Sequence, residues 1–339
     1  MVNAGELAKS LLTRRNTVTL GVLLATAAFP AAALELGLPL ECVPGADCWV
    51  VRHVDRDPGS GFADHRCGVL GSDGHDGTDF ALADARRMAG GVPVLATSAG
   101  VVAGVRDDMP DQPPEGRLAY DFGDRNCGNG VLIEHADGWQ TQYCHLRRGS
   151  VRVAKGERVE PGQPLGLVGM SGEANFPHVH LSVRRDGETI DPFTGTAGTA
   201  PCGQPGTPLW STEVQERLGY QEVPIAVVGL TDHVPDRDAI VAGTAGGTAL
   251  RPSSPALVGY VLAYGLLAGD RLEISIVGPD GATVSAAGFD LDQDAPRATR
   301  AAGRRAPPAG WAAGTYRAEA RVRRGERSFA RAAEFRLGQ

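Results

Sequence analysis

An all-β protein is the fold class this chain predicts, and three observations carry the prediction. Short Val- and Leu-rich runs recur between turn residues, Gly (46) and Pro (23) are plentiful, and apolar faces at helical spacing are nearly absent. A length of 339 residues suggests about two domains. The expected order is a signal peptide at 1–33, a β domain at 34–200 with a cysteine-held lead-in, a linker at 201–222 and a second β domain at 223–339.

Taken from the start, Lys9, Arg14 and Arg15 precede an apolar run over 18–33 that ends Ala31-Ala32-Ala33. A basic start, a short apolar core and small residues at its end describe a secretory signal peptide. The run is shorter than the ~20 residues a membrane-spanning helix needs. Export to the periplasm or beyond is therefore expected, with no stable membrane insertion after cleavage. Arg14-Arg15 leaves both the general and the twin-arginine route open.

The six cysteines agree with export, since an even number in an oxidising compartment suggests disulfides. Cys127 and Cys144 flank a predicted hairpin, 130–135 and 139–145, that turns at Ala136-Asp137-Gly138, and a bridge between them is expected. Cys42, Cys48, Cys67 and Cys202 allow three pairings. No Cys-x-x-Cys pair exists, which speaks against a cysteine zinc site.

Further strands are expected at 79–82, 92–97, 100–105, 157–168 and 178–184, forming an antiparallel, barrel-like core with a surface groove. Two hairpins are expected within it, 92–105 turning at Ser98-Ala99 and 156–169. Gly, Pro and Thr then dominate 198–209. Beyond it lie strand candidates at 225–230, 257–266, 271–277 and 283–289, with a closing hairpin at 315–323 and 328–337. Tyr316, Ala318, Ala320 and Val322 alternate there with Arg317, Glu319, Arg321 and Arg323, which separates an apolar face from a charged one. By strand count and alternation this half resembles an immunoglobulin-like sandwich.

The chemistry is concentrated in a few histidines out of eight. His75-Asp-Gly-Thr-Asp79 comes first, Gln142-Tyr143-Cys144-His145-Leu146 follows, and Pro177-His178-Val-His180-Leu181 closes the set. A catalytic zinc takes three ligands from His, Asp or Glu and keeps a fourth position for water. Lowering the pKa of that water from 15.7 to about 7 is worth roughly 12 kcal/mol toward hydroxide at neutral pH. A positioned acid or base contributes less, about 100- to 10,000-fold. His178 and His180 stand two apart on a predicted strand and so share a face. Gly71, Gly74 and Gly77 argue against a helix around His75, which is placed in a loop with Asp79 at the start of a strand. No His-Glu-x-x-His motif occurs, which makes the helical zinc proteases a poor fit.

These three phrases, in this order, resemble those of the lysostaphin-type (LytM-type) zinc metallopeptidases, peptidoglycan endopeptidases built on short strands. The resemblance covers about residues 65–195. It implies one zinc per chain on His75, Asp79 and His180, with His145 and His178 as the catalytic pair that orients or deprotonates water and holds the oxyanion. All five are present, unlike in degenerate members of the family. It implies peptidoglycan stem peptides as substrate and hydrolysis of their cross-links. The export signal and disulfides fit a periplasm in which those links join D-Ala to diaminopimelate. Two alternatives stand beside this: a non-catalytic wall-binding or amidase-activating protein, and a zinc peptidase acting on exported proteins.

Ser171–Pro177 is longer than the usual turn of the family, and 107–127 is an insertion; both border the expected groove. Asn175 and Phe176 are taken as substrate contacts, and Glu173 is a further candidate, with a solvated loop as the alternative reading of the stretch. His135 is read as structural, and His53, His65 and His233 have no partner at ligand spacing. A net charge of −7 and 6% aromatic residues do not favour nucleic acid. The C-terminal β domain offers a surface for a protein partner. Its basic run, 321–327, is read as a solvated strand face.

Overall fold

A computed structural model describes residues 34–112, 122–246 and 249–338. The expected signal peptide and part of the 107–127 insertion lie outside the described residues.

The first half contains β1 (Cys48–Arg52), β2 (Thr78–Leu82), α1 (Ala85–Ala89), β3 (Pro93–Leu95), β4 (Gly100–Arg106), β5 (Asn129–Glu134) and β6 (Trp139–Leu146). It continues with β7 (Arg158–Val159), β8 (Pro164–Leu167), β9 (His178–Arg185), β10 (Glu188–Asp191), β11 (Thr196–Ala197) and α2 (Thr212–Leu218). The main sheet runs β1-β2-β9-β6-β5-β4-β7, with β10 also beside β9 and β11 beside β10. The strand order ends at β1 and β7, so the sheet does not close into the barrel-like unit expected. Its pairings are antiparallel.

The hairpin of β5 and β6 forms as expected, and Cys127 and Cys144 are bridged. The other two disulfides are Cys42–Cys48 and Cys67–Cys202. Neither of the two further hairpins forms. β3 pairs with β8 in a separate ribbon, while β4 pairs with β5 and β7. The corner between β3 and β4 is held by Tyr143, whose hydroxyl accepts from Thr97 N at 2.8 Å. A donor that a tight hairpin would keep between its own strands is thus spent on β6.

Leu34, Leu36, Leu38 and Leu40 of the lead-in enter the core of this half with Phe80, Tyr143, Val179 and Leu181. The segment 201–222, expected as a linker, carries α2. Its Val214 and Leu218 join the same core beside Trp210.

The second half holds β12 (Ile225–Thr231), α3 (Arg237–Ala242), β13 (Ala256–Leu266), β14 (Arg271–Val277), β15 (Thr283–Asp290), β16 (Ala295–Arg305), β17 (Gly314–Arg324) and β18 (Arg327–Leu337). A three-stranded sheet, β12-β13-β16, faces a four-stranded one, β15-β14-β17-β18. Val261 and Ala263 from the first and Leu272, Ile274, Ala320 and Val322 from the second share one core. The sandwich is present. β16 was missed by the sequence reading because its Arg, Ala and Gly residues carry little β-propensity and no clean alternation.

β13 is covered on both faces. Val261 and Ala263 point into the sandwich, while Tyr260, Leu262 and Tyr264 pack with Trp49, Val51, Leu70, Ala81 and Phe176 of the first half. A run this apolar in an antiparallel strand is the signature of two buried faces.

Candidate active site

Strand register assembles the site. Asp79 of β2 stands directly opposite His180 of β9, and His180 stands opposite Cys144 of β6. Arg52 of β1 is the partner of Asp79 on the other side. Directly opposed side chains in an antiparallel pair have Cβ atoms only about 5 Å apart, so the register alone brings Arg52, Asp79 and His180 into one row. His178, Ser182 and Arg184 follow on the same face of β9 as His180, at period two.

His75 reaches this row from the loop before β2. Its Nδ1–H donates to the His53 carbonyl at 2.8 Å, which leaves Nε2 as a lone pair 3.1 Å from Asp79 Oδ1. His180 Nδ1 lies 2.9 Å from the same carboxylate oxygen and 3.2 Å from His75 Nε2. Its Nε2 is held by Ser182 Oγ at 3.0 Å and Asp76 Oδ1 at 3.2 Å. The candidate ligand atoms of His75, Asp79 and His180 all fall within 4.8 Å of one another. Cys42, Asp47 and Cys48 form a second such group, but its sulfurs are joined in a disulfide.

The donor set fits a divalent metal. Two imidazole nitrogens and a carboxylate oxygen converge, each ring's other nitrogen has its own partner, and the buried Asp79 Oδ2 has no hydrogen bond. Such outer partners fix the tautomer and direction of a ligating histidine. The electrostatics point the same way. Burial works against the charge of Asp79, yet His75, His178 and His180 hold its carboxyl well below the usual range. Burial likewise opposes a charged His180, but Asp76 and Asp79 outweigh it and raise the ring to about 9. A cluster that protonates a buried imidazole is one that favours a cation.

Gly77 makes room for this arrangement. A Cβ there would sit 2.5 Å from His180 Nε2 and 2.7 Å from the Leu181 carbonyl. Only glycine lets the 75–79 loop approach β9 so closely.

His145 and His178 complete the wall. By strand alternation the residue after Cys144 would face away from the cleft. His145 instead has φ +65°, and this left-handed turn, uncommon outside glycine, brings its ring to the cleft. Its ring lies 4.6 Å from that of His178. The Nδ1–H of His145 donates to the Ser171 carbonyl and that of His178 to the Phe176 carbonyl, both at 2.8 Å. His178 Nε2 is 3.7 Å from Asp79 Oδ1. Burial lowers His178 to about 4 and His145 well below its ordinary value. Both rings are therefore neutral, with Nε2 able to accept a proton.

The cleft that these residues line has a volume of roughly 430 Å³. Arg52, Asp76, Asn126, Gln142, Glu173 and Arg184 also line it, and apart from Glu173 the sequence reading had not selected them. Ser182 and Arg184 were detectable in principle, standing at period two from His178 and His180. Asp76 lies inside the first motif, yet nothing in the sequence said that it turns toward His180. Arg184 donates to Gln142 and Asp76 at 2.7 and 2.8 Å, tying β9, β6 and the 75–79 loop together. Of the expected substrate contacts, Phe176 is only 2% exposed and stacks on the back of His178, and Asn175 gives its carbonyl to Arg297. His135 bonds Ala99 and Thr141 away from this cleft, while His53 and His65 pack with Phe193 and Tyr220.

Residues 73–192 match the family described as Peptidase family M23. This segment is a peptidase M23 domain. It spans all five histidine and aspartate positions of the site. Cell division protein DipM of Caulobacter vibrioides is 35% identical over 94 residues, 28% of this chain and 13% of that protein. Peptidoglycan DD-endopeptidase ShyA of Vibrio cholerae is 32% identical over 117 residues, 34% of this chain and 22% of that protein. DD-carboxypeptidase/endopeptidase Mpg of Neisseria meningitidis is 29% identical over 142 residues, 42% and 27% of the two chains. This chain thus spans 13% to 27% of the length of these relatives.

Proposed function

We propose that this protein is a zinc endopeptidase that hydrolyses peptide cross-links of peptidoglycan in the periplasm or outside the cell. The observation that carries the reading is the convergence of His75, Asp79 and His180 within 4.8 Å, in a cleft that also presents His145 and His178. The names of ShyA and Mpg point to DD-bonds of stem peptides as the substrate class. Three disulfides fit an oxidising compartment, and among the described residues no helix is long and apolar enough to cross a membrane.

His75 Nε2, Asp79 Oδ1 and His180 Nδ1 would hold one zinc ion. Bound there, zinc supplies an acidified water and a Lewis acid at neutral pH. His178, neutral and fixed through its Nδ1–H, offers Nε2 as the acceptor of the attacking water's proton. Once protonated, the His145–His178 pair returns a proton to the leaving amine and donates to the oxyanion. The Asp76 carboxylate keeps His180 turned so that Nδ1 faces Asp79. Asn126, Gln142 and Glu173 line the path along which an extended peptide would lie.

Two variants test the assignment. His180→Ala is expected to lose both zinc and activity. His178→Ala is expected to keep one zinc per chain while releasing muropeptides about 100-fold or more slowly. Metal analysis beside muropeptide release reads both, and loss of zinc from His178→Ala would mean that the ligand assignment is wrong.

A further inference from the structure

The contact between sandwich and M23 domain reaches the cleft at the stretch 171–177 that leads into His178. From the sandwich, Arg297 Nη1 donates to the Asn175 carbonyl at 3.0 Å, and its guanidinium lies 5.4 Å from the centre of the Phe176 ring. Tyr264, opposite Arg297 in the β13–β16 register, faces the same ring at 5.9 Å. From the M23 side, Arg52 covers that ring at 5.5 Å. Phe176 then meets His178 twice. Its ring stacks on the imidazole at 4.3 Å and 20°, and its carbonyl accepts the Nδ1–H at 2.8 Å.

The stretch is anchored at its ends, where Ser171 Oγ accepts from Asn129 N and donates to the Leu146 carbonyl, and the Pro177 carbonyl accepts from Leu82 N. Glu173 N donates to the Asn126 carbonyl and Ala174 N to Gly172, but no ladder spans 172–176. The orientation of the Phe176 carbonyl decides which nitrogen of His178 carries the hydrogen, and hence whether Nε2 is a base. A charge-assisted bond to the preceding carbonyl and a cation over the ring both restrain that orientation.

We propose that the C-terminal sandwich fixes the direction and tautomer of His178 through Arg297, which makes Arg297 a positioning residue of the peptidase site. This rests on the role given to His178 above. The sandwich is then part of the catalytic scaffold, and the second half of the chain has a function at the site that needs no separate ligand.

The test uses the full mature chain with Arg297→Met, Arg297→Lys and Phe176→Leu, each alone and combined with His178→Ala. The first reading is the imidazole Nδ1–H resonance of His178, identified by its absence from His178→Ala. It is expected to be sharp in the unsubstituted chain, lost to exchange in Arg297→Met and largely restored in Arg297→Lys. The second reading is kinetic: Arg297→Met lowers kcat about 10- to 100-fold, with KM and zinc content unchanged, and causes no further loss when His178 is already Ala. An unchanged resonance in folded Arg297→Met overturns the proposal, and so does an equal loss of kcat with and without His178. Should Arg297→Met fail to fold, Phe176→Leu, which keeps the site apolar but removes the ring stack, is read in the same way. The resonance needs no turnover, so it separates failure of this inference from failure of the functional reading.

Discussion

At the scale of single residues, the site depends on how closely the 75–79 loop can approach β9. Asp76 and Asp79 hold the two nitrogens of His180 from opposite sides, at 3.2 and 2.9 Å. Gly77 lies between those aspartates, against the ring itself. Gly77→Ala is therefore expected to push His180 off its partners and weaken zinc affinity about 10- to 100-fold, the usual cost of disturbing an outer partner of a ligand. Competition with a chromophoric chelator measures it, and unchanged affinity would show that the loop has slack. The left-handed His145 belongs to the same scale. It is backbone strain found where two imidazoles must share one wall, and such strain persists only when the surroundings enforce it. The Cys127–Cys144 bridge and the His145 N–H bond to the Cys127 carbonyl at 2.8 Å do so.

At the scale of elements, β10 and β11 are locked to the chain by one buried cation. Arg56 Nη1 bonds Asp191 and Thr194 at 3.1 Å, Nη2 bonds Thr196 at 2.9 Å, and Nε bonds the Ala200 carbonyl at 2.7 Å. Burial outweighs this pairing enough to push Asp191 up to about 6. Replacing a whole buried pair can be harmless, but removing one member strands the other. Arg56→Ala is expected to destabilise the fold by about 3 to 5 kcal/mol, read as a lower urea midpoint; a shift under 1 kcal/mol would contradict it. This pair was invisible in the sequence, as were the partners of β3 and β8. Hydrophobic periodicity locates strands but does not say which strands meet. The site was legible for the opposite reason. His75 and Asp79, and His178 and His180, lie in two short phrases whose local spacing sets each pair, and the β2–β9 register then brings the pairs together. Arg52 has no such phrase, since it enters the cleft through the β1–β2 register opposite Asp79.

At the scale of the whole molecule, the core of the first half and that of the sandwich are joined by another built from both halves, with β13 apolar on both sides. That double apolarity was present in the run 257–266, although alternation had been sought only in the closing hairpin. Stability should also carry a pH signature from His53, lowered to about 3 chiefly by burial and then by His65. Its folded pKa lies below the unfolded 6.5, so the unfolded chain binds the proton more readily. The stabilisation is complete above pH 6.5 and is lost as pH falls toward 3, by about 2 kcal/mol at pH 5. Urea unfolding at pH 7 and 5 should show that much less decline in His53→Phe, and equal declines in both proteins would contradict it. The central claim remains metal-dependent cleavage of cross-links. The chain from Leu34 onward, incubated with purified diaminopimelate-type sacculi, is followed by mass analysis of the soluble muropeptides, with chelated and zinc-restored samples beside it. Cross-linked dimers are expected to become monomers, to persist under chelator and to be cleaved again once zinc returns. Dimers left intact with zinc present, or cleavage indifferent to the chelator, would contradict the account.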